Sequence, residues 1–169
     1  RPEHERMLYS LGLAGSAFKK VYYDPSLGRQ TALYIPAEDV IVPYGASTIE
    51  QAERVTHVMR KTENEMVKLQ AAGFYRDVEL GEPEPFHSDI EVEKAKEGGY
   101  SLTDDDRYCL YEIHADLIIE DVDVDETDDG FQTAKPYVIT IERGKNTVLA
   151  IRRNWNPDDV LTKKRLHFV

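Results

Sequence analysis

Residues 108–120 read YCLYEIHADLIIE, and the way this run is laid down decides the fold. Cys109, Tyr111, Ile113, Ala115, Leu117 and Ile119 share one parity, while Glu112, His114, Asp116 and Glu120 share the other. That period of two is the pattern of a half-buried strand. A strand of about 12 residues spans roughly 40 Å at about 3.3 Å per residue, longer than usual, so a bend or bulge is expected along it. The run is predicted to be the central strand of a sheet, with its odd-numbered residues facing the core.

Toward the C-terminus, residues 137–142 alternate again, Arg143-Gly144-Lys145-Asn146 turns the chain, and residues 147–155 return with Leu149, Ile151 and Trp155 on one face. Together with residues 108–120 they are predicted to form a three-stranded antiparallel meander. Pro157-Asp158-Asp159 begins a further turn or short helix. Residues 166–169 read as part of a strand on an exposed sheet end that awaits a neighbour or more chain, so that their removal should do little harm.

Toward the N-terminus, residues 54–60 have strand spacing, with Val55, His57 and Met59 on one face. Thr62-Glu63-Asn64-Glu65 has the form of a capping box, Met66, Leu69 and Ala72 follow at three-residue intervals, and Gly73 suits a left-handed stop; the spacing predicts a helix over 63–72. Residues 2–13 read as a helix with Pro2 in its first turn and Met7, Leu8 and Leu11 at helical spacing. Residues 17–23 and 31–35 alternate on either side of Asp24-Pro25-Ser26-Leu27-Gly28-Arg29, a hairpin whose loop is longer than two residues. Pro36 and Pro43 bracket Val40-Ile41-Val42 and confine it to an edge or corner. Residues 47–52 suggest one helical turn.

These elements predict an α+β fold, mainly an antiparallel sheet with one or two short helices packed on one face, as a single domain over 1–169. Its core is expected to hold Tyr111, Ile113 and Leu117 against Leu149 and Ile151 and against Met66 and Leu69. Residues 79–106 differ in composition, with Glu82-Pro83-Glu84-Pro85, Gly98-Gly99 and Asp104-Asp105-Asp106 among many charges. Few aliphatics leave little apolar surface to offset the entropy of ordering, so this acidic insertion is expected to be mobile apart from a charged helix near 89–97.

The chain has 169 residues, 41% of them hydrophobic, which suffices for a real core. Its net charge of -11 argues against a general electrostatic grip on nucleic acid, and leaves Lys19 and Lys20 as a local basic pair near the hairpin. Cys109 is the only cysteine, which rules out an intrachain disulfide and a zinc site built on several cysteines. No apolar run reaches the roughly 18 residues of a membrane span. No internal repeat is present, and the chain reads as a piece of a longer protein.

The candidate chemistry is sparse. Asp121, Asp123, Asp125, Asp128 and Asp129 offer the hard oxygens calcium prefers, yet the sixth position of an EF-hand register is Glu126, where glycine is needed, and the twelfth is not glutamate. A metal-dependent or hydrolytic enzyme using the loop 121–129 is the alternative reading. Cys109 and His114 pair a nucleophile with a base, but an odd separation points them to opposite faces of one strand, so Cys109 reads as a small core residue. His57 reads as a core histidine beside Val55 and Met59. The five histidines lack metal-ligand spacing, and glycine-rich phosphate loops, GxSxG and HExxH are absent. No catalytic, cofactor or metal residue is assigned from the sequence.

GLAGSAFKKVYYDPSLG at 12–28, IPAEDVIVPYGA at 35–46 and ERVTHVMRKTENEMVKLQAAGFYRDV at 53–78 resemble the wing region of portal proteins of short-tailed bacteriophages and their prophages. The resemblance runs more loosely through 108–120 and 137–155. It implies a structural, non-enzymatic wing-like domain within a homo-oligomeric, usually dodecameric ring at one capsid vertex, through which DNA is packaged and ejected. It also implies a virion location, with host cytoplasm during assembly. Partners would be neighbouring portal subunits, with terminase and tail or head-completion proteins held by other regions. The stem helices, clip and channel lining of that family find no match here, so no residue of this chain is assigned to DNA or to the motor. The acidic stretch 79–106 would repel packaged DNA.

Overall fold

The capping box is the most local of these expectations, and it forms. In the computed structural model, which describes residues 2–24, 28–85, 87, 89–102, 105–120, 122, 133–159 and 161–169, the Thr62 hydroxyl accepts the Glu65 N–H at 3.3 Å. The Glu65 carboxylate in turn accepts the Thr62 N–H at 2.9 Å. Helix α2 (Glu63–Ala71) follows from it. Gly73 takes φ 70°, its N–H reaches the Gln70 carbonyl and the Phe74 N–H reaches the Leu69 carbonyl. This double bond across a left-handed glycine satisfies carbonyls that the helix end would otherwise strand.

The other elements, in chain order, are α1 (Pro2–Ala14), β1 (Ala17–Asp24), β2 (Arg29–Pro36), a 3-10 turn (Ala37–Asp39), β3 (Val40–Ile41), β4 (Arg54–Lys61), β5 (Glu84–Pro85), α3 (Asp89–Gly98), β6 (Asp106–Leu117), β7 (Lys135–Glu142) and β8 (Thr147–Arg153). β1 and β2 pair antiparallel from Ala17↔Pro36 to Asp24↔Arg29. A larger sheet has the order β3-β4-β6-β7-β8, with β5 beside β6. The α+β fold with a mainly antiparallel sheet is therefore as predicted, β6, β7 and β8 are successive neighbours, and β3 is an edge. Residues 47–52 make turns rather than a helical turn. There the Gln51 N–H is satisfied by the Thr48 hydroxyl, a local bond that competes with helix formation.

The chain divides into two compact units. The second comprises Val58–Glu112 and Ile139–Ile151. Its core is Met66 of α2, Leu110 of β6 and Leu149 of β8, each 0% exposed, with Tyr75 and Tyr108 beside them and Leu69, Phe74, Val78 and Leu80 packed around. Here the predicted parity of the central strand fails. Tyr108 and Leu110, even-numbered, are buried, whereas Cys109 and Tyr111 are only half-buried. At this end of the run both parities are apolar, and the face on which α2 lies is the even one. Ile151 is 50% exposed rather than a core residue, because the core at β8 is filled by Leu149.

After α2 the chain is tied down by main-chain acceptors. Gln70 donates its amide to the Arg76 and Val78 carbonyls, and the Arg76 N–H donates to Leu149 on β8. Gly81 then meets the β7–β8 turn so closely that a Cβ there would stand 2.9 Å from the Gly144 Cα.

The first unit comprises Arg1–His57, Ile113–Val138 and Arg152–Val169. Acidic Glu3 and Glu5 occupy the first turn of α1, where the helix dipole favours them, and Gly15 at φ 74° ends it with an N–H bond to the Leu11 carbonyl. α1 packs on β1 and β2, and Glu3 accepts the Tyr34 N–H of β2. The core here is Ile35, Ala52, Val55 and Phe168, with Phe18, Val40, Ala46 and Ile49 against it.

Phe168 overturns the reading of residues 166–169 as an expendable sheet end. The Lys19 and Val169 main chains exchange N–H···O bonds at 2.9 Å, and the Val21 N–H donates to the His167 carbonyl at 2.7 Å. Residues 167–169 thus lie antiparallel along β1, bridged at Lys20↔Phe168, and the Phe168 side chain fills the core. The sequence pattern showed a strand but not its partner, which is about 150 residues away in the chain.

Candidate functional site

Three histidines that the sequence scatters are gathered in the first unit. β4 ends its part of this unit with His57, buried and edge-on to Phe168 at 6.3 Å between ring centroids. β6 contributes His114, whose ring lies 5.0 Å from Phe168 and 5.3 Å from His167. His57 is thus a core histidine as predicted, and His114 faces the C-terminal strand. The alternation of β6 places His114, which has the same even parity as Tyr108 and Leu110.

His167 is held from both sides of its ring. Nδ1 lies 3.1 Å from the Val21 carbonyl oxygen, and Nε2 lies 2.9 Å from Asn154 Oδ1. Asn154, itself buried, donates its side-chain amide to the Arg165 carbonyl, receives the Arg165 N–H on its own carbonyl, and donates its N–H to Pro136. Beside this network is a cavity of about 30 Å³ bordered by His114, Asp116, Asn154, His167 and Phe168. Such a hollow has room for water and is well below the roughly 300–1,000 Å³ of an ordinary small-molecule pocket. Sequence spacing gave no signal for this cluster, because the histidines come from β4, β6 and the C-terminal segment, far apart in the chain.

Among the described residues, the second unit contains one buried carboxylate. Glu142 is 1% exposed and accepts N–H bonds from Gly144 at 2.6 Å, Lys145 at 2.9 Å and Gly81 at 3.4 Å. Three backbone donors satisfy the carboxylate and fix the approach of residue 81 to the β7–β8 turn, which is a structural task. Around it, Lys145 pairs with Glu79 and Arg143 with Glu84. The Lys145 hydrogen bond and charge hold the exposed Glu79 carboxyl below the usual carboxylate range.

Cys109 is a free, half-buried thiol of the second unit, and His114 belongs to the first. The acidic residues Asp121, Asp123, Asp125, Asp128 and Asp129 lie outside the described residues. Among the described residues, no group of three histidine, cysteine, aspartate or glutamate side chains is placed to hold a metal ion. Lys19 and Lys20 do not make an exposed basic patch, since Lys20 is buried with its ammonium 5.2 Å from the Tyr22 ring centroid. Among the described residues, no helix is long and apolar enough to cross a membrane.

The first unit also presents apolar surface. Leu8, Tyr9, Leu11 and Leu13 of α1, and Tyr23 and Leu33 of the hairpin, are all exposed, Leu13 to 75%. α1 buries none of its residues fully, although it packs on the hairpin. Large side chains of this kind on one helix and its supporting hairpin suit burial against another protein. Compared with models of known protein families and with curated proteins, the chain matches none.

Proposed function

We propose that this chain is a structural domain of a viral portal protein, the wing of a homo-oligomeric ring at the capsid vertex through which DNA is packaged and ejected. The observation that carries the reading is where the portal-like stretches fall. Residues 12–24 and 28 run from the end of α1 along β1 to the residue before β2, and 35–46 run from the end of β2 through β3; Leu13, Tyr23, Ile41, Val42 and Tyr44 in these stretches are exposed, as are Leu8, Tyr9 and Leu11 just before them on α1. In the proposed ring those side chains meet neighbouring portal subunits, while terminase and tail or head-completion proteins engage other regions of the parent. DNA meets only the assembled channel.

Electron microscopy of the full-length parent tests this directly: a closed ring is expected, and a parent that stays monomeric overturns the proposal. Leu8→Glu together with Leu11→Glu is expected to block ring closure while leaving the circular dichroism of the chain unchanged. Ring formation by that double variant would remove α1 from the subunit contact.

A further inference from the structure

We propose that His167 is a proton-dependent latch that holds the C-terminal strand onto β1. The Val21 carbonyl oxygen can only accept, so the ring nitrogen facing it at 3.1 Å, Nδ1, carries a proton. The opposite nitrogen, Nε2, faces Asn154 Oδ1 at 2.9 Å. The orientation of that amide is set by its other end, since Asn154 Nδ2 donates to the Arg165 carbonyl at 3.2 Å. Turning the amide over would bring two oxygens together there. Both imidazole nitrogens therefore face acceptors, and a neutral imidazole has only one N–H to give. The imidazolium alone satisfies both partners at once.

Loss of the proton forfeits the bond to Asn154, or turns the Asn154 amide and forfeits the bond to Arg165. Asn154 is buried, so only a water in the small hollow beside it could stand in for what is lost. The same few residues carry the strand: the Val21 N–H donates to the His167 carbonyl, Val169 pairs with Lys19, and Phe168 fills the core beside Ile35, Ala52 and Val55. Release of the latch thus loosens a core-filling strand rather than a free tail.

The charged and titratable groups around the ring come from every neighbouring element. β6 brings His114, whose ring is 5.3 Å away, and Asp116; Glu53 precedes β4, and His57 touches Phe168 from β4 itself. β1 brings Lys20, opposite Phe168, and the segment's own Lys164 and Arg165 complete the set. Asp116 and Glu53 favour the imidazolium, while Lys20, Lys164, Arg165 and any charge on His114 oppose it. Asp116, Glu53, Lys164 and Arg165 are exposed, so water and salt weaken their effect; the two direct hydrogen bonds stand against the buried Lys20.

The folded chain gives the imidazolium two acceptors that the unfolded chain lacks. The latch is then fully engaged below the ordinary histidine value of about 6.5 and is lost as pH rises through the higher midpoint of the folded chain. Nitrogen-15 NMR of the whole chain reads this directly. Both His167 ring nitrogens are expected to be protonated at pH 6.5, with a titration midpoint above that of the same residue in urea. After correction for base catalysis, amide-exchange protection at Val21 and Val169 should fall several-fold through that midpoint, and His167→Gln should flatten this dependence. A single neutral tautomer at pH 6.5, a midpoint at or below the urea value, or protection that does not change with pH would overturn the latch. Should His167→Gln fail to fold, the ring titration of the unaltered chain decides alone.

Discussion

Truncating Leu110 and truncating Ile113 separate the two faces of the central strand. Leu110 is wholly buried against Met66, Tyr75, Tyr108 and Leu149, so Leu110→Ala removes buried apolar atoms and leaves a cavity in the second unit. The expected cost is about 2–5 kcal/mol, the range for such truncations. Ile113, of the opposite parity and in the first unit, is half-buried, and its truncation should cost about 1 kcal/mol, because part of its surface already meets water. With a urea dependence of about 2 kcal/mol per molar, a loss of 3 kcal/mol lowers the unfolding midpoint by roughly 1.5 M. Urea unfolding followed by circular dichroism, with unchanged slope, measures both. An Ile113→Ala variant as damaged as Leu110→Ala, or more so, would refute the assignment of the even parity to the core.

Phe168→Ala is expected to cost about 3–5 kcal/mol in the same assay, and deleting residues 166–169 at least as much; a deletion without effect would show that the segment is not an integral strand. Gly81→Ala should destabilise by about 1–3 kcal/mol, since its Cβ meets the Gly144 backbone, whereas Gly12→Ala, with open space around it on α1, should stabilise by about 0.5–1 kcal/mol. At α2, burial pushes the Glu65 carboxyl up, but the Thr62 N–H bond and Lys61 together hold it below the ordinary range. The support Glu65 gives the helix start is therefore present above the usual carboxylate value and lost as pH falls through the lowered one. Faster exchange of the first-turn amides on acidification would show it, and exchange indifferent to pH after correction would count against it. Finally, calcium or magnesium at millimolar concentration should leave the melting temperature unchanged; a clear rise would favour the metal-dependent reading of loop 121–129 over the portal one.

The sequence by itself determined what is decided within a few residues. The capping box at Thr62 and Glu65, the glycine stop at Gly73 and the proline-bracketed β3 all depend on local chemistry, and local chemistry is written in local order. The strands of the meander were equally legible, since alternation and short turns specify them. Parity was not, because Tyr108 and Leu110 are as apolar as Cys109 and Tyr111, so the pattern fits either face until α2 lands on one. Only tertiary structure brought Gly81 to Gly144, satisfied Glu142 with three distant or turn amides, and laid residues 167–169 along β1. The gathering of His57, His114 and His167 around Phe168 was also decided there, since it depends on which strands become neighbours rather than on spacing in the chain. That choice is made by the packing of whole faces, where many weak contacts act together and no single residue type announces its partner.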